Sequence, residues 1–280
     1  MQSWTVVVPV KLLESAKTRL AREDRAALAL AMAADTVAAA SACAAVASVL
    51  VVTDDVRAAA ALAGAADVVP DVPARGLNPA LAHGAHVAAG RRPSDGIVAL
   101  AADLPSLTAH HLEIALTAAE GVARGLVADA VGKGTVLLSA APGIALEPRF
   151  GADSRVAHRA AGVIDLTDDL GDTVRGLRRD VDTLDDLQDA RRIGLGPATV
   201  RVLHGSGAVH VQATVRDWDE QSASGTAVTD DGTLVALAPG SRLAGSLRRL
   251  RPGQRVRVTR SGENSRVIGL VTESVECELG

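Results

Sequence analysis

Uninterrupted runs of apolar residues alternate with alanine-rich segments of helical periodicity through roughly the first 200 residues. Continuous apolar runs predict strands buried on both faces of a sheet, and they are Trp4–Val10, Val49–Thr53, Asp67–Val69 and Gly96–Ala101. The segments between them predict helices, over Asp24–Ala42, Asp55–Leu62, Pro79–Ala89 and Thr108–Ala119. Because strands that alternate with helices form right-handed βαβ units, we expect an α/β fold: a mostly parallel sheet with helices on both faces.

The pattern changes after residue 200, where helical periodicity ends and short β-like runs begin. Five such runs are separated by Asp-Gly, Pro-Gly and Ser-Gly turn signals, and they are His210–Val215, Gly225–Val228, Thr233–Leu237, Arg255–Thr259 and Arg266–Val271. Five short strands predict a small all-β barrel of the oligonucleotide/oligosaccharide-binding (OB) type. We therefore expect two domains, 1–200 and 201–280, joined by a linker at Gly194–Thr199.

Composition narrows the class of protein. Apolar residues make up 48% of the chain and charged residues 22%, which suits a packed core. No apolar run is long enough to cross a membrane and no basic segment precedes an apolar one near Met1, so neither a membrane span nor a signal peptide is expected. The two cysteines, Cys43 and Cys277, are too few for a disulfide scaffold and fit a reducing cytoplasm.

Charge and aromatic content argue against nucleic acid as the main partner. The chain has three aromatic residues, Trp4, Phe150 and Trp218, and a net charge of −4. Residues 201–280 carry ten arginines against nine acidic residues. Base stacking needs aromatic rings and backbone binding needs a basic surface, so binding of nucleic acid is disfavoured.

The loop after the first predicted strand holds most of the lysines. Lys11 and Lys17 are two of only three lysines, and Arg19 follows them closely. Since ligands of such sheets bind beyond the carboxyl ends of strands, these cations are candidates to hold a polyphosphate. The alternative is a solvated basic loop.

Two acidic stretches are candidates for a Mg²⁺ site. Asp103 follows the predicted strand that ends at Ala101, and Asp180 and Asp182 are two residues apart, which a strand would place on one face. Carboxylates are ligands that hard cations prefer. The alternatives are a turn or N-cap role for Asp103 and a dipole-stabilised helix start, capped by Thr183 or Asp182, for the second stretch.

Small residues in two further stretches suit a bound anion. Gly134-Thr135 and Gly151–Ser154 combine glycines, which allow close approach, with hydroxyls near a predicted helix start. The alternative for the second stretch is an ordinary turn with Ser154 as the N-cap. His158 lies one turn further, where a structural or substrate-adjacent role is favoured over metal binding. Motifs for covalent hydrolysis, for Walker-type phosphate binding and for dinucleotide binding are missing from the sequence, which argues against those chemistries.

These elements occur in the order found in one family. Residues 4–200 resemble the 2-phospholactate/phosphoenolpyruvate guanylyltransferases of coenzyme F-420 biosynthesis. The stretches that carry the resemblance are Val8–Lys11, Ala16–Leu20, Gly76–Leu81, Ala102–Leu107, Gly134–Thr135, Pro148–Ser154 and Leu177–Thr183.

The resemblance implies a Rossmann-like, GT-A-like nucleotidyltransferase fold with a mixed sheet. It implies transfer of GMP from GTP to phosphoenolpyruvate or 2-phospho-L-lactate with release of pyrophosphate. The sequence leaves the oligomeric state open, with a homodimer as one option. The nucleotide would be held by Pro9, Lys11, Lys17 and Asn78. The acid would be held by Thr135, Gly151 and Ser154. Mg²⁺ would be held by Asp103 and by Asp182 or Asp180, and Lys17 and Arg19 would act in catalysis beside Asp103.

The carboxyl-terminal part resembles a cold-shock domain in layout, over residues 209–272. The matching parts are Thr214–Trp218 and Leu250–Val256. The strands that should carry base-stacking aromatics hold none, so that only Trp218 is left for this purpose.

The chemistry implied is attack of a phosphate oxygen on the α-phosphorus of GTP. Such an oxygen is already ionised at neutral pH, so no general base is required. Two other hypotheses remain: a nucleic-acid-associated protein that acts through the barrel, and an inactive nucleotide-binding scaffold. Residue types do not separate phosphoenolpyruvate, 2-phospholactate and 3-phosphoglycerate as the acid.

Overall fold

The structure is a computed structural model that describes residues 2–11, 13, 24–72, 74–203, 209–222, 224–237, 250–261 and 264–270. The chain divides into two compact units, Met1–Leu203 and His204–Gly280. Lys17 and Arg19, both predicted to act on the nucleotide, lie outside the described residues.

A seven-stranded mixed sheet forms the centre of the first unit. Its strands are β1 (Trp4–Pro9), β2 (Val46–Val52), β3 (Asp67–Val69), β4 (Gly96–Leu100), β5 (Arg124–Ala128), β6 (Thr135–Ala140) and β7 (Ile164–Asp165). They lie in the order β3-β2-β1-β4-β6-β5-β7. β6 runs antiparallel to both of its neighbours, and the other pairs are parallel. The sheet is therefore mixed, as the family resemblance implies.

Nine α-helices are described in the first unit. They are α1 (Arg25–Ser41), α2 (Val56–Leu62), α3 (Leu77–Arg91), α4 (Ala109–Ala119), α5 (Ser154–Ala160), α6 (Thr167–Leu170), α7 (Arg175–Arg178), α8 (Leu184–Ile193) and α9 (Pro197–Leu203). Gly171–Val174 forms a 3₁₀ turn between α6 and α7. None of the helices within the described ranges combines the length and the apolar character that crossing a bilayer requires.

Both faces of the sheet are buried, which explains the uninterrupted apolar runs. Successive residues of β1 alternate between two hydrophobic clusters: Val6 and Val8 belong to one, and Val7 belongs to the other. The first cluster includes residues of α1, α2 and α4, and the second includes residues of α3. Helices thus cover the two faces as the alternation of strands and helices predicts.

Two local expectations are wrong. The segment at Asp180–Asp182 has no regular secondary structure and is not a strand end, because α7 ends at Arg178 and leads directly into a stretch that bends at Asp182. The predicted linker Gly194–Thr199 instead packs on the first unit, and its last residues begin α9.

A buried carboxylate fixes that segment. Asp35 of α1 is 5% exposed and accepts the main-chain N–H groups of Ala198 and Thr199 at 2.9 and 2.8 Å. Gly196 donates its N–H to the carbonyl of Pro105 at 2.7 Å. Since the first N–H groups of a helix have no partner inside it, Asp35 supplies acceptors that α9 lacks.

The second unit holds five described strands at the predicted positions. They are β8 (Val209–Asp219), β9 (Ser224–Thr229), β10 (Leu234–Leu237), β11 (Arg255–Ser261) and β12 (Asn264–Leu270). They close in the order β10-β12-β11-β8-β9, mostly through antiparallel pairs, around a small core that includes Val215 and Val256. The assignment to OB-like or cold-shock-like barrels stays a prediction.

Candidate active site

A cavity of about 430 Å³ opens at one edge of the seven-stranded sheet. The carboxyl ends of β1, β4 and β5 meet there. β6 runs in the opposite direction, so its amino end, with Thr135, reaches the same edge. The order of strands reverses between the neighbours β1 and β4: β2 and β3 lie beyond β1, whereas β6 and β5 lie beyond β4. Open α/β sheets bind ligands at such a point.

Four aspartates line this cavity: Asp103, Asp129, Asp180 and Asp182. The N–H of Val181 donates to the main-chain carbonyl of Asp103 at 3.2 Å, which holds the two predicted acidic stretches side by side. Asp103 and Asp180 are partly buried, whereas Asp182 is exposed. In the part of the chain that is described, no group of three or more histidines, cysteines or acidic residues is arranged to hold a metal ion. The roles of Asp103 and Asp182 as metal ligands stay predictions.

The helix starts decide the N-cap alternatives for these aspartates: the second acidic stretch does lead into a capped helix, with Asp185 and Asp186 in its first turn. Thr108 caps α4 by accepting the N–H of His111, so Asp103 is not the cap. Thr183 caps α8 within a capping box that Asp186 completes. The side chains of Asp103 and Asp182 therefore serve neither helix as its N-cap.

Of the four aspartates in the first cavity, Asp129 is the one that the sequence analysis did not single out. Its two carboxylate oxygens accept the N–H groups of Lys133 and Gly134 at 2.9 and 2.8 Å, across the turn from β5 to β6. A Cβ atom on Gly134 would lie 2.4 Å from Asp129 Oδ2, so this turn requires glycine. The one signal in the sequence is an aspartate ahead of a glycine-rich turn, which is too common to single out a site.

A buried histidine stands behind Thr135. His158 of α5 is fully buried, and its Nδ1 lies 3.0 Å from the hydroxyl oxygen of Thr135. Its Nε2 accepts the N–H of Arg149 at 2.9 Å. Burial lowers the pKa of His158, which keeps the ring neutral near neutral pH.

Asn78 holds the segment that follows Arg149. Its side-chain amide donates to the carbonyl of Phe150 at 2.9 Å, and its amide oxygen accepts the N–H of Phe150 at 2.7 Å. Phe150 and Gly151 line the cavity, whereas Asn78 is not among the residues that line it. A direct contact between Asn78 and a nucleotide stays a prediction.

Ser154 does not cap α5. It is the first residue of the helix, its side chain is 1% exposed, and Asp153 occupies the N-cap position. Its N–H donates to the carbonyl of Gly151 at 3.3 Å, which closes the turn beside the cavity. Contact of Ser154 with an acid substrate stays a prediction.

The start of the loop after β1 lies between two cavities. Pro9, Val10 and Lys11 line the first cavity and also a second one of about 270 Å³. The second cavity is further lined by Asp54 after β2, by Asp71 after β3 and by Leu77 at the start of α3. The main-chain N–H of Asp71 donates to Asp54 Oδ1 at 2.9 Å, which ties the segment after β3 to the Asp54 side chain.

Asp55 anchors the same loop from the other side. Its carboxylate accepts the N–H of Leu13 at 2.9 Å and also caps α2 through Arg57 and Ala58. Burial raises the pKa of Asp55, but these hydrogen bonds outweigh burial and hold the pKa below its ordinary value. The carboxylate therefore stays ionised as a fixed anchor for Leu13.

Comparison with known proteins places this geometry in a family. The model of the CofC-like guanylyl transferases matches residues 4–195, which include every residue named above around the first cavity. The chain belongs to this family. It is a nucleotidyltransferase, and the segment from residue 196 onwards lies outside the match.

Other CofC-like guanylyl transferases are similar to this chain over most of their length. A phosphoenolpyruvate guanylyltransferase of Thermomonospora curvata is 53% identical over 201 residues, which cover 70% of this chain and 87% of the relative. The protein of the same name from Streptomyces coelicolor is 53% identical over 204 residues, covering 71% and 95%. The one from Frankia casuarinae is 49% identical over 220 residues, covering 70% and 75%.

Among solved structures, the fold is similar to a protein of Desulfovibrio desulfuricans provisionally named a nucleotide-diphospho-sugar transferase. The TM-score is 0.54 at 18% identity, covering 74% of this chain and 96% of that one. This similarity concerns the fold alone, and it agrees with a nucleotidyltransferase-like α/β unit.

Proposed function

We propose that this chain transfers GMP from GTP to the phosphate of phosphoenolpyruvate, or of 2-phospho-L-lactate, as a step in coenzyme F-420 biosynthesis. The observation that carries the proposal is one cavity lined by Lys11, by Asp103 with Asp182, and by Thr135 with Gly151. The cavity therefore brings together a lysine, two carboxylates, and a hydroxyl beside a glycine. The relatives that bear the name phosphoenolpyruvate guanylyltransferase support this acid as the acceptor.

The acidic pair fits a magnesium ion shared with substrate. Mg²⁺ in nucleotide enzymes is commonly held by one or two carboxylates, and phosphates and water supply the remaining oxygens. Asp103 with Asp182, or with Asp180, offers such a pair, so a third protein ligand is not needed. A bound Mg²⁺ would neutralise charge on the GTP phosphates and favour departure of pyrophosphate.

Charge repulsion explains why cations are needed here. Two unit charges 4 Å apart repel by about 4 kcal/mol at an effective dielectric constant near 20, and two phosphorylated molecules bring several such pairs together. Lys11 is exposed at the cavity, and Lys17 and Arg19 follow it in sequence. We propose that these cations hold the GTP phosphates and offset the repulsion.

The reaction itself requires alignment and not proton transfer. An ionised oxygen of the acid's phosphate forms a bond to the α-phosphorus of GTP, and the bond from that phosphorus to the bridging oxygen breaks, so pyrophosphate leaves with the electron pair. We propose that Thr135, Gly151 and Ser154 hold the acid. Thr135 and Gly151 line the cavity, and Ser154 closes the turn next to Gly151. Catalysis then rests on position and charge.

The second cavity suits the base of GTP. Guanine presents adjacent N–H donors on its Watson–Crick edge, and carboxylates accept such donors in pairs. Asp54 and Asp71 line the second cavity, which adjoins the first through Lys11. This arrangement supports guanine over cytosine, whose corresponding edge has fewer donors.

Product analysis with matched substrates tests the proposal. The enzyme is offered phosphoenolpyruvate, 2-phospho-L-lactate or 3-phosphoglycerate, each with GTP or CTP and Mg²⁺, and pyrophosphate is followed. We expect release with GTP that depends on one of the first two acids. An inactive scaffold would bind GTP without pyrophosphate release, and that result would contradict the proposal.

A further inference from the structure

His158 is the one fully buried histidine among the described residues, and both of its ring nitrogens have partners. Its ring lies at an edge-to-face angle of 77° to Phe150, with centroids 5.3 Å apart. The ring therefore contacts Thr135 on one side and the Arg149–Phe150 segment on the other. It is buried too deeply to meet a substrate itself.

The partners fix which nitrogen carries the proton. A main-chain N–H can only donate, so Nε2 must offer its lone pair to Arg149. A neutral imidazole then carries its proton on Nδ1, which faces the Thr135 oxygen at 3.0 Å and also the main-chain carbonyl of Ser154. The ring is thus a donor toward Thr135, and the threonine oxygen is the acceptor.

Because His158 donates to the Thr135 oxygen, the hydroxyl proton of Thr135 does not form a hydrogen bond with the histidine. Thr135 is 7% exposed and lines the first cavity. In the described part of the chain its hydroxyl donates to no other group, so the proton is available to an anion in the cavity. If the ring were reversed, the proton of Thr135 would point to His158 and an anion would meet lone pairs instead.

The same ring also holds a second segment of the cavity lining. Nε2 holds the N–H of Arg149, while Asn78 holds both main-chain polar groups of Phe150. Gly151, which lines the cavity, follows directly with φ of 139°, a conformation that favours glycine. One side chain therefore positions both the hydroxyl and the main chain that face the bound acid.

We infer that His158 is a positioning residue for the acid substrate, which makes the Thr135 hydroxyl a hydrogen-bond donor to an anionic oxygen of that acid. The inference rests on the proposed function, since it deepens the part of the site assigned to the phosphorylated acid. Loss of one hydrogen bond to a charged group corresponds to a change of about tenfold in affinity. That change should concern the acid and leave GTP unaffected.

Two substitutions separate the two contacts of the ring. His158→Asn keeps a donor near the position of Nδ1 and loses the contact with Arg149, whereas His158→Gln keeps an acceptor near the position of Nε2 and loses the donor toward Thr135. We expect His158→Gln to raise the KM for phosphoenolpyruvate about tenfold with little change in the KM for GTP.

Thr135→Val should have a similar effect, and the double variant should be little worse than either single one. His111→Gln, which replaces a partly buried histidine of α4 away from the cavity, is the matched control.

Calorimetric binding of phosphoenolpyruvate, with thermal unfolding of each variant, completes the experiment. Equal rises of both KM values, or additive effects of the two substitutions, would overturn the inference. If the wild type is active and His158→Gln has the same KM for phosphoenolpyruvate, the inference is overturned but the proposed function stands. A wild type without turnover refutes the proposed function. In that case the binding of phosphoenolpyruvate decides the inference about His158. The inference is overturned if the variants bind the acid as well as the wild type does, or if the wild type does not bind it.

Discussion

Some polar residues at the cavity could be predicted from the sequence, and others are recognisable only in the structure. The order of motifs predicts that Asp103 and the Asp180–Asp182 stretch act together, and both line one cavity. Asp129 was not predicted, because its position depends on the turn between β5 and β6, and these two strands are not among those predicted from the apolar runs. Asn78 shows the reverse: its motif is recognisable, but only the fold reveals that its amide holds Phe150.

Substitution of Asp103 tests the acidic pair. We expect Asp103→Asn to lower turnover by about a hundredfold or more, because a neutral amide cannot offset the charge of a phosphate-bound cation. Pyrophosphate release at saturating Mg²⁺ measures the effect. The control is Asp172→Asn, an exposed aspartate outside both cavities. If Asp103→Asn and the control had equal turnover, Asp103 would have no part in the reaction.

Burial of His158 also predicts how stability depends on pH. The folded pKa is lowered, whereas the unfolded ring has the ordinary value of 6.5. The unfolded chain therefore takes up a proton that the folded chain does not, and stability is lost as pH falls below 6.5 toward the folded pKa. Between about pH 7 and pH 5, the melting temperature should fall more for the wild type than for His158→Gln. Parallel melting curves of the two proteins across this range would show that the ring does not contribute.

At the scale of elements, the prediction is best where both faces of a strand are buried. The starts of β1 and β4 agree with their predicted residues, because continuous apolar runs have one explanation in this fold. β3 agrees as well, although Val69 is its one buried residue and the strand lies at the edge of the sheet. The strand expected at Asp180–Asp182 is wrong because a spacing of two residues fits any extended segment. α9 is stabilised by Asp35, more than 160 residues earlier, and no local pattern reports such a partner.

Packing of α3 on the sheet depends on one glycine. A Cβ atom on Gly84 would lie 2.5 Å from a methyl group of Val7 and 2.7 Å from one of Val52. We expect Gly84→Ala to lower the free energy of unfolding, because overpacking costs about 1–3 kcal/mol and the gain in helix propensity is only about 1 kcal/mol. Urea unfolding measures the difference.

Gly90 is the matched control for that prediction. It lies in the same helix with nothing within 4 Å of an added Cβ. Gly90→Ala should therefore leave the urea midpoint unchanged or raise it. A midpoint that falls equally in both variants would show that the contact with Val7 and Val52 is not the cause.

For the whole molecule, the family match and the compact first unit nearly coincide. The match ends at residue 195, whereas the unit continues to Leu203 and includes α9. The family resemblance could be recognised from the sequence because motifs survive in order along the chain. It could not reveal that a further helix completes the fold, because the partner of that helix is a buried carboxylate on α1.

Two truncated chains test this reading of the first unit. We expect residues 1–203 to keep guanylyltransferase turnover and thermal stability, because they retain α9 and the partners of Asp35. For residues 1–195 the free energy of unfolding should be lower by at least about 2 kcal/mol, since the carboxylate of Asp35 then lacks both of its N–H donors. Equal stability of the two chains would contradict the role of Asp35, and loss of turnover in residues 1–203 would show that the second unit takes part in the reaction.

The reversed direction of β6 has a consequence for how such an enzyme can be re-engineered. The corner assigned to the acid combines the start of β6, where a short hairpin from β5 brings Thr135, with the Gly151–Ser154 turn. The nucleotide side is assembled from segments that follow β1, β2 and β3. On the proposed assignment, acceptor choice and nucleotide choice are thus encoded in separate stretches of chain, and grafting the hairpin together with the Gly151–Ser154 turn offers a route to new acceptor specificity.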